Sequence, residues 1–275
     1  SQTDGAGNSS GDITEAITKD TFDPPMPKVT LSSPASSPGN DSTPTIKVTG
    51  ASGSYVASDK VTLHLVSGCV DSAVSEEVAG TGAAFETVTV ADAMVNGQVL
   101  KYYAKVEDEH GNSICSSAGS VDKFVTYALD TTNPVVTISS APGINVDNQT
   151  KYTASGTCTE NGVDVSVKVG TLSATTTSCT SNTWEIKDTD NFDVSSLVDN
   201  SSITVLVTQT DSAGNEGSAS TKVDKDTGAP SLAVTAPASS VVNLSNYTNF
   251  ALTGTCGSIG RSVDITAGSS TALVP

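Results

Sequence analysis

The sequence predicts an all-β chain of successive two-sheet sandwiches. Three observations carry this: apolar residues that alternate with period two, a composition poor in helix formers, and an opening motif that recurs about every hundred residues. Only 4% of the residues are aromatic and 16% charged. Ser, Thr, Gly, Val and Ala dominate, as in many short strands joined by small-residue turns.

The alternation is clearest at Val163, Val165, Val167 and Val169, which enclose Asp164, Ser166 and Lys168. Ile203, Val205 and Val207 alternate in the same way with Thr204, Leu206 and Thr208, as do Val61, Leu63 and Leu65, and Tyr102, Ala104 and Val106, with their neighbours. Period two turns every second side chain toward one face. Each repeat therefore reads as about seven strands in two antiparallel sheets. On this pattern Trp184 and Tyr102 are core residues, and His64 lies on the outward face of its strand.

The recurring motif is an Asp, a short Pro-containing link and an alternating strand. It occurs at Asp23-Pro-Pro-Met-Pro-Lys-Val-Thr-Leu31, Asp130-Thr-Thr-Asn-Pro-Val-Val-Thr-Ile138 and Asp226-Thr-Gly-Ala-Pro-Ser-Leu-Ala-Val234. Proline fixes φ and cannot extend a sheet ladder, which suits a junction between domains. The spacing is close to the ~100 residues of an immunoglobulin-like sandwich. The expected organisation is a flexible tether at residues 1–22, immunoglobulin-like domains at 23–129 and 130–225, and an incomplete third domain at 226–275. A short helical turn around Ile13 to Ile17 fits the tether's pattern but would have little to pack on. A second shared element, Asp108-Glu-His-Gly-Asn112 and Asp211-Ser-Ala-Gly-Asn215, follows an alternating strand. Gly and Asn accept positive φ, so this element reads as the tight turn between the last two strands of each repeat.

Cys69 and Cys115 fall in the first repeat and Cys158 and Cys179 in the second, predicting one disulfide per domain and an oxidising compartment. Closing the shorter loop would stabilise its domain by about 3 kcal/mol in the chain-entropy account. Gly156-Thr-Cys158 matches Gly254-Thr-Cys256, and a partner for Cys256 at the Cys158-to-Cys179 spacing would fall beyond Pro275. The third repeat is thus expected to be truncated and poorly stabilised alone.

A formal net charge of −17 disfavours nucleic acid and anionic membrane surfaces as partners, because phosphate recognition needs clustered Lys and Arg. No stretch approaches the roughly 20 apolar residues of a membrane helix. The two histidines form no His-Glu-x-x-His motif, and the cysteines form no Cys-x-x-Cys. No catalytic residue is expected.

The run Thr183-Trp184-Glu-Ile, Val194-Ser-Ser-Leu197, Ile203-Thr-Val-Leu-Val, Asp211-Ser-Ala-Gly-Asn215 and Asp226-Thr-Gly-Ala-Pro230 resembles the bacterial Ig-like tandem repeats of large surface adhesins and biofilm proteins. The resemblance implies rods that project a binding domain from a bacterial surface. The expected function is a structural stalk or adhesion segment of a cell-surface or secreted bacterial protein. The alternatives are a glycan- or protein-binding module, or accessory domains of a larger extracellular enzyme. The surface ligand, protein or glycan, is not written in the sequence, and no cofactor is required.

Calcium is the one metal the sequence points toward, at the interdomain junctions. In such a sandwich the turn between the last two strands lies at the same end as the chain's entry. That would bring Asp211 and Asn215, with Glu160 from a neighbouring turn, near Asp130. Asp23, Asp108 and Asn112 would form the equivalent group one junction earlier. Hard oxygen ligands converging there would suit Ca²⁺. The competing reading is that these side chains accept hydrogen bonds from their own backbone.

Overall fold

The computed structural model describes residues 1–12, 14–15, 17, 19–116, 122–235, 241–257 and 262–264. The described chain is all-β, its one helical element being a 3-10 turn at Asp188–Asp190. No helix among the described residues is long and apolar enough to cross a membrane.

The first apolar cluster is enclosed by β1 (Pro27–Ser33), β2 (Thr45–Gly50), β3 (Lys60–His64), β4 (Val78–Ala79), β5 (Glu86–Thr89), β6 (Val99–Glu107), β7 (Ser113–Cys115) and β8 (Val125–Ala128). One antiparallel sheet runs β1-β2-β5 and the other β4-β3-β6-β7, with β8 also paired to β6. The period-two pattern explains which side chains meet. Val29, Ile46, Val48 and Val88 from the first sheet face Val61, Leu63, Tyr102, Ala104 and Val106 from the second, all buried.

β7 and β8 both pair with β6. Ser116, fully buried, joins the two. Its hydroxyl accepts from the Ala104 amide at 3.0 Å and donates to the Lys123 carbonyl at 2.6 Å, while its own N–H reaches the Ala104 carbonyl. A side-chain hydroxyl thus links the two strands beside β6.

The second cluster lies between two further sheets. β9 (Ala154–Thr157) pairs with β12 (Thr183–Ile186), and the residues before β9 join them through bridges Val136 to Cys158 and Ser140 to Ser155. The facing sheet runs β11-β10-β13-β14, from β10 (Asp164–Val169), β11 (Thr175–Ser178), β13 (Ser201–Thr210) and β14 (Glu216–Lys225). Trp184 fills the centre, and its indole N–H donates to the Thr137 carbonyl at 2.9 Å. The close approach needs a glycine: a Cβ on Gly156 would sit 1.8 Å from that carbonyl oxygen and 2.6 Å from the indole nitrogen.

Among the described residues β15 (Leu232–Thr235) and β16 (Thr253–Cys256) form a two-stranded antiparallel sheet whose residues are all exposed. Their opening geometry repeats that of the second unit. Leu232 stands opposite Cys256 as Val136 stands opposite Cys158, and the Asn243 amide reaches the Asn246 side chain as Asn145 reaches Asn148.

The segment expected to be a flexible tether contains a short hydrogen-bonded hairpin, with Thr3 bridged to Ser9 around a turn at Asp4. Ile13, Ala16 and Thr18, on which the expected helical turn depends, lie outside the described residues.

Candidate functional site at the interdomain junction

The turn between β13 and β14 is built by one carboxylate. Asp211 Oδ1 accepts the Ala213 and Asn215 amides, each at 2.9 Å, and the Asp211 and Asn215 backbones close the loop at 3.0 Å. Gly214, at φ +92°, supplies the left-handed residue this path requires. Asn215 is only 7% exposed, and its side-chain amide divides its two protons. One goes to Asp211 Oδ2 and the other to the backbone carbonyl of Asp130, each at 2.9 Å.

Asp130 is held from the other side by the first unit. Its N–H donates to the Gly39 carbonyl at 2.9 Å, and Gly39 forms a parallel bridge with Leu129. The next residues are fixed by Asn96, whose Oδ1 accepts the Thr131 amide at 2.8 Å and whose Nδ2 donates to Thr132 Oγ1 at 2.9 Å. Tyr127 anchors the Gly39 loop, donating to the Asp41 carbonyl at 2.9 Å and accepting the Asp41 amide at 3.2 Å. Gly39 leaves room for that phenol, since a Cβ there would lie 2.7 Å from its oxygen.

Of the residues expected to gather at this junction, Asp130, Asp211 and Asn215 are linked directly. Glu160 is tied instead to buried Gln209, which donates to the Glu160 carbonyl at 2.9 Å and accepts its amide at 3.3 Å. Burial alone would raise the Asp211 pKa, but hydrogen bonds from the Asn215 side chain and the Asn215, Ala213 and Gly214 amides outweigh it, so the group lies below its ordinary value. Asp108 is lowered as well, first by the Asn112 side chain and then by the Asn112 and His110 amides. Asp23 is exposed, while His110 at the tip of the earlier turn faces Asp20 at 3.3 Å.

This donor set does not fit a calcium cage as it is arranged. Both Asp211 oxygens take N–H donors, and Asn215 turns its amide nitrogen, not its oxygen, toward the Asp130 carbonyl. Among the described residues no group of three or more His, Cys, Asp or Glu side chains is placed to hold a metal ion.

Cys69 is bonded to Cys115 and Cys158 to Cys179, with Cα separations of 5.9 and 6.1 Å, while Cys256 is free and exposed. The first disulfide explains why His64 departs from expectation. It does point to the outer face of β3, yet it is only 5% exposed, because the loop tied down at Cys69 covers it. His64 Nδ1 lies 3.1 Å from the Asp71 carbonyl and 3.3 Å from its carboxylate, and Asp71 also accepts the Leu65 amide.

Five buried polar residues among those described were not singled out by sequence: Asp59, Glu86, Ser116, Gln209 and Lys225. Lys225, 2% exposed, donates to the Ser195 and Leu197 carbonyls, each at 2.7 Å. Its place at an inward position of a strand that alternates poorly could have flagged it. A Gly-x-Ser-x-Gly spacing is also present at Gly7 to Gly11. Ser9 there faces the Thr3 hydroxyl at 3.1 Å across a small hairpin, not in the strand-to-helix elbow that activates a nucleophile.

No protein-family model matches the chain, and no curated relative matches it. Solved structures do. A tetra-tandem repeat from the extending region of a large adhesion protein is 20% identical, covering 75% of this chain and 50% of its own, with a TM-score of 0.32. A Ca²⁺-stabilised adhesin of an ice-binding Antarctic bacterium is 18% identical over 82% of this chain and 55% of its own, TM-score 0.36. A region of a 1.5-MDa bacterial ice-binding adhesin is 21% identical over 79% and 71%, TM-score 0.35. These neighbours are repeats of large bacterial adhesins, and the chain spans about half the length of the first two.

Proposed function

We propose that the chain is a spacer segment of a bacterial cell-surface or secreted adhesion protein. In this reading immunoglobulin-like units at residues 23–129 and 130–225 are followed by a further repeat from residue 226. The observation that carries it is the hold on Asp130. Its N–H is bound by the first unit and its C=O by the second, so the linker has no slack residue at its centre. Short, tied linkers limit bending between units, and repetition then sets the reach of whatever the array presents. The work is geometric rather than catalytic.

Two disulfides support an oxidising location outside the cytoplasm. Partner recognition, of a protein or a glycan, is assigned to other parts of the array.

Small-angle scattering of the full chain tests the spacer reading. A narrow distribution of interdomain distances that broadens in an Asn96→Ala, Asn215→Ala double variant is expected. A distribution already broad in the unaltered chain would refute it.

A further inference from the structure

The turn at Asp4 is the same object as the turns at Asp108 and Asp211. Asp4 Oδ1 accepts the amides two and four residues on, at 2.9 Å each, and Asn8 Nδ2 donates to Asp4 Oδ2 at 3.0 Å. Asp108 makes the same three bonds with His110 and Asn112, and Asp211 with Ala213 and Asn215. The glycine before each asparagine has φ of +88°, +83° and +92° in turn. The flanking pairs also correspond: Thr3 faces Ser9 as Glu107 faces Ser113 and Thr210 faces Glu216.

The sequence agrees on both sides of the turn. Gln2-Thr3-Asp4 reads as Gln209-Thr210-Asp211, and Ala6-Gly7-Asn8 as Ala213-Gly214-Asn215. Downstream, Ile17-x-Lys19-Asp20-Thr21 matches Val223-x-Lys225-Asp226-Thr227 and Tyr127-x-Leu129-Asp130-Thr131, so Asp20 and not Asp23 is the counterpart of Asp130 and Asp226. These exit positions differ in one respect. Tyr127, Leu129, Val223 and Lys225 are buried against their own units, whereas Ile17 is 93% exposed and Lys19 is exposed.

From this we infer that the hairpin at residues 1–10, with Ile17 and Lys19 as its exit positions, closes an immunoglobulin-like unit, and that exposed Ile17 fits the core of a unit body patterned like residues 130–207. Ile17 takes the place of Val223 in that body's core; it lies nine residues beyond Asn8 where Val223 lies eight beyond Asn215, so one extra residue must be accommodated between turn and exit. Lys19 takes the place of Lys225, whose ammonium binds two carbonyls of the loop before β13. Thr3 and Ser9 continue the pairing that β13 and β14 make. The inference rests on the repeat reading proposed above, but its test is separate, because the scattering experiment concerns only the two units already closed.

The test is a graft within the full chain, in which residues 208–226 are replaced by residues 1–20. The grafted chain should keep a cooperative second-unit transition and the Cys158–Cys179 disulfide, with a midpoint lowered by no more than about 10 °C. Ile17→Asp in the graft should abolish that transition. A second graft carrying Ile17→Val restores the side chain native to that place and guards against a mere mismatch in packing. Loss of the transition in both the Ile17 and Val grafts overturns the assignment, and so does a graft that tolerates Ile17→Asp.

Discussion

The Asn215 side-chain amide and the Asp130 carbonyl, 85 residues apart in sequence, are joined by a 2.9 Å hydrogen bond. Asn112 holds the corresponding place in the first unit, and its amide closes its own turn through Asp108. The pair therefore separates two jobs, shaping a turn and fixing a linker. Asn215→Ala should lower second-unit stability by about 1–3 kcal/mol, the cost of leaving buried polar groups unpaired, and widen the interdomain distribution. Asn112→Ala should weaken the first unit while leaving that distribution unchanged. Chemical denaturation and scattering on both variants check this.

The same turn predicts how the second unit responds to acid. Asp211 has a folded pKa below its unfolded value, so its stabilisation is present above the unfolded value and is lost as pH falls through the folded one. The midpoint should stay level from neutrality to about pH 5 and decline below about pH 4. In Asp211→Asn the acid-dependent part should shrink. Thermal scans across pH, resolved by unit, measure it.

Gly156→Ala should be among the most damaging single changes. The new methyl meets backbone at Thr137 and the Trp184 indole at once, and neither is a flexible side-chain end that can move aside. A loss above about 4 kcal/mol is expected, enough to remove the second-unit transition while the first persists. Calorimetry distinguishes the two.

Tyr55→Phe should have the opposite sense. The Tyr55 ring is 1% exposed and its hydroxyl finds no hydrogen-bond partner among the described residues, while burial and the charges of Asp59 and Glu86 push its pKa up. Removing an unpaired buried hydroxyl should leave stability unchanged or raise it by up to about 1 kcal/mol. A clear loss on denaturation would reveal a partner for that oxygen.

Replacing Cys158 and Cys179 together by Ala should cost the second unit about 3 kcal/mol, chiefly by freeing the unfolded chain. Intact mass before and after reduction should show two disulfides and one free thiol in the unaltered protein.

What the sequence made legible was whatever obeys a local period. The valines of β10 and the alternation in β13 named their buried faces, and Trp184 and Tyr102 are core residues as read. The outward parity of His64 was also right. Its burial was not, because parity says nothing about a loop folding over the outer face. Asp211 and Asn215 were found through turn chemistry, yet the partner of the Asn215 amide is a backbone carbonyl, which carries no sequence signal. Ser116, Gln209 and Lys225 escaped for a related reason: each bonds to backbone, which carries no sequence signal, and for Gln209 and Lys225 that backbone is also far along the chain. The Asp4 turn was legible from its spacing but was masked by the Gly- and Ser-rich composition around it.

The parallel bridges carry a consequence for force. Ile144 donates to the Asp224 carbonyl and accepts from the Asp226 amide, and Gly39 does the same with Ala128 and Asp130. In both units the entering and leaving segments thus lie side by side and run in the same direction. Tension along the array pulls these neighbours in opposite senses along their length, so their hydrogen bonds are sheared together instead of being peeled apart one after another. Each closed unit thus meets a pull with its bonds in concert.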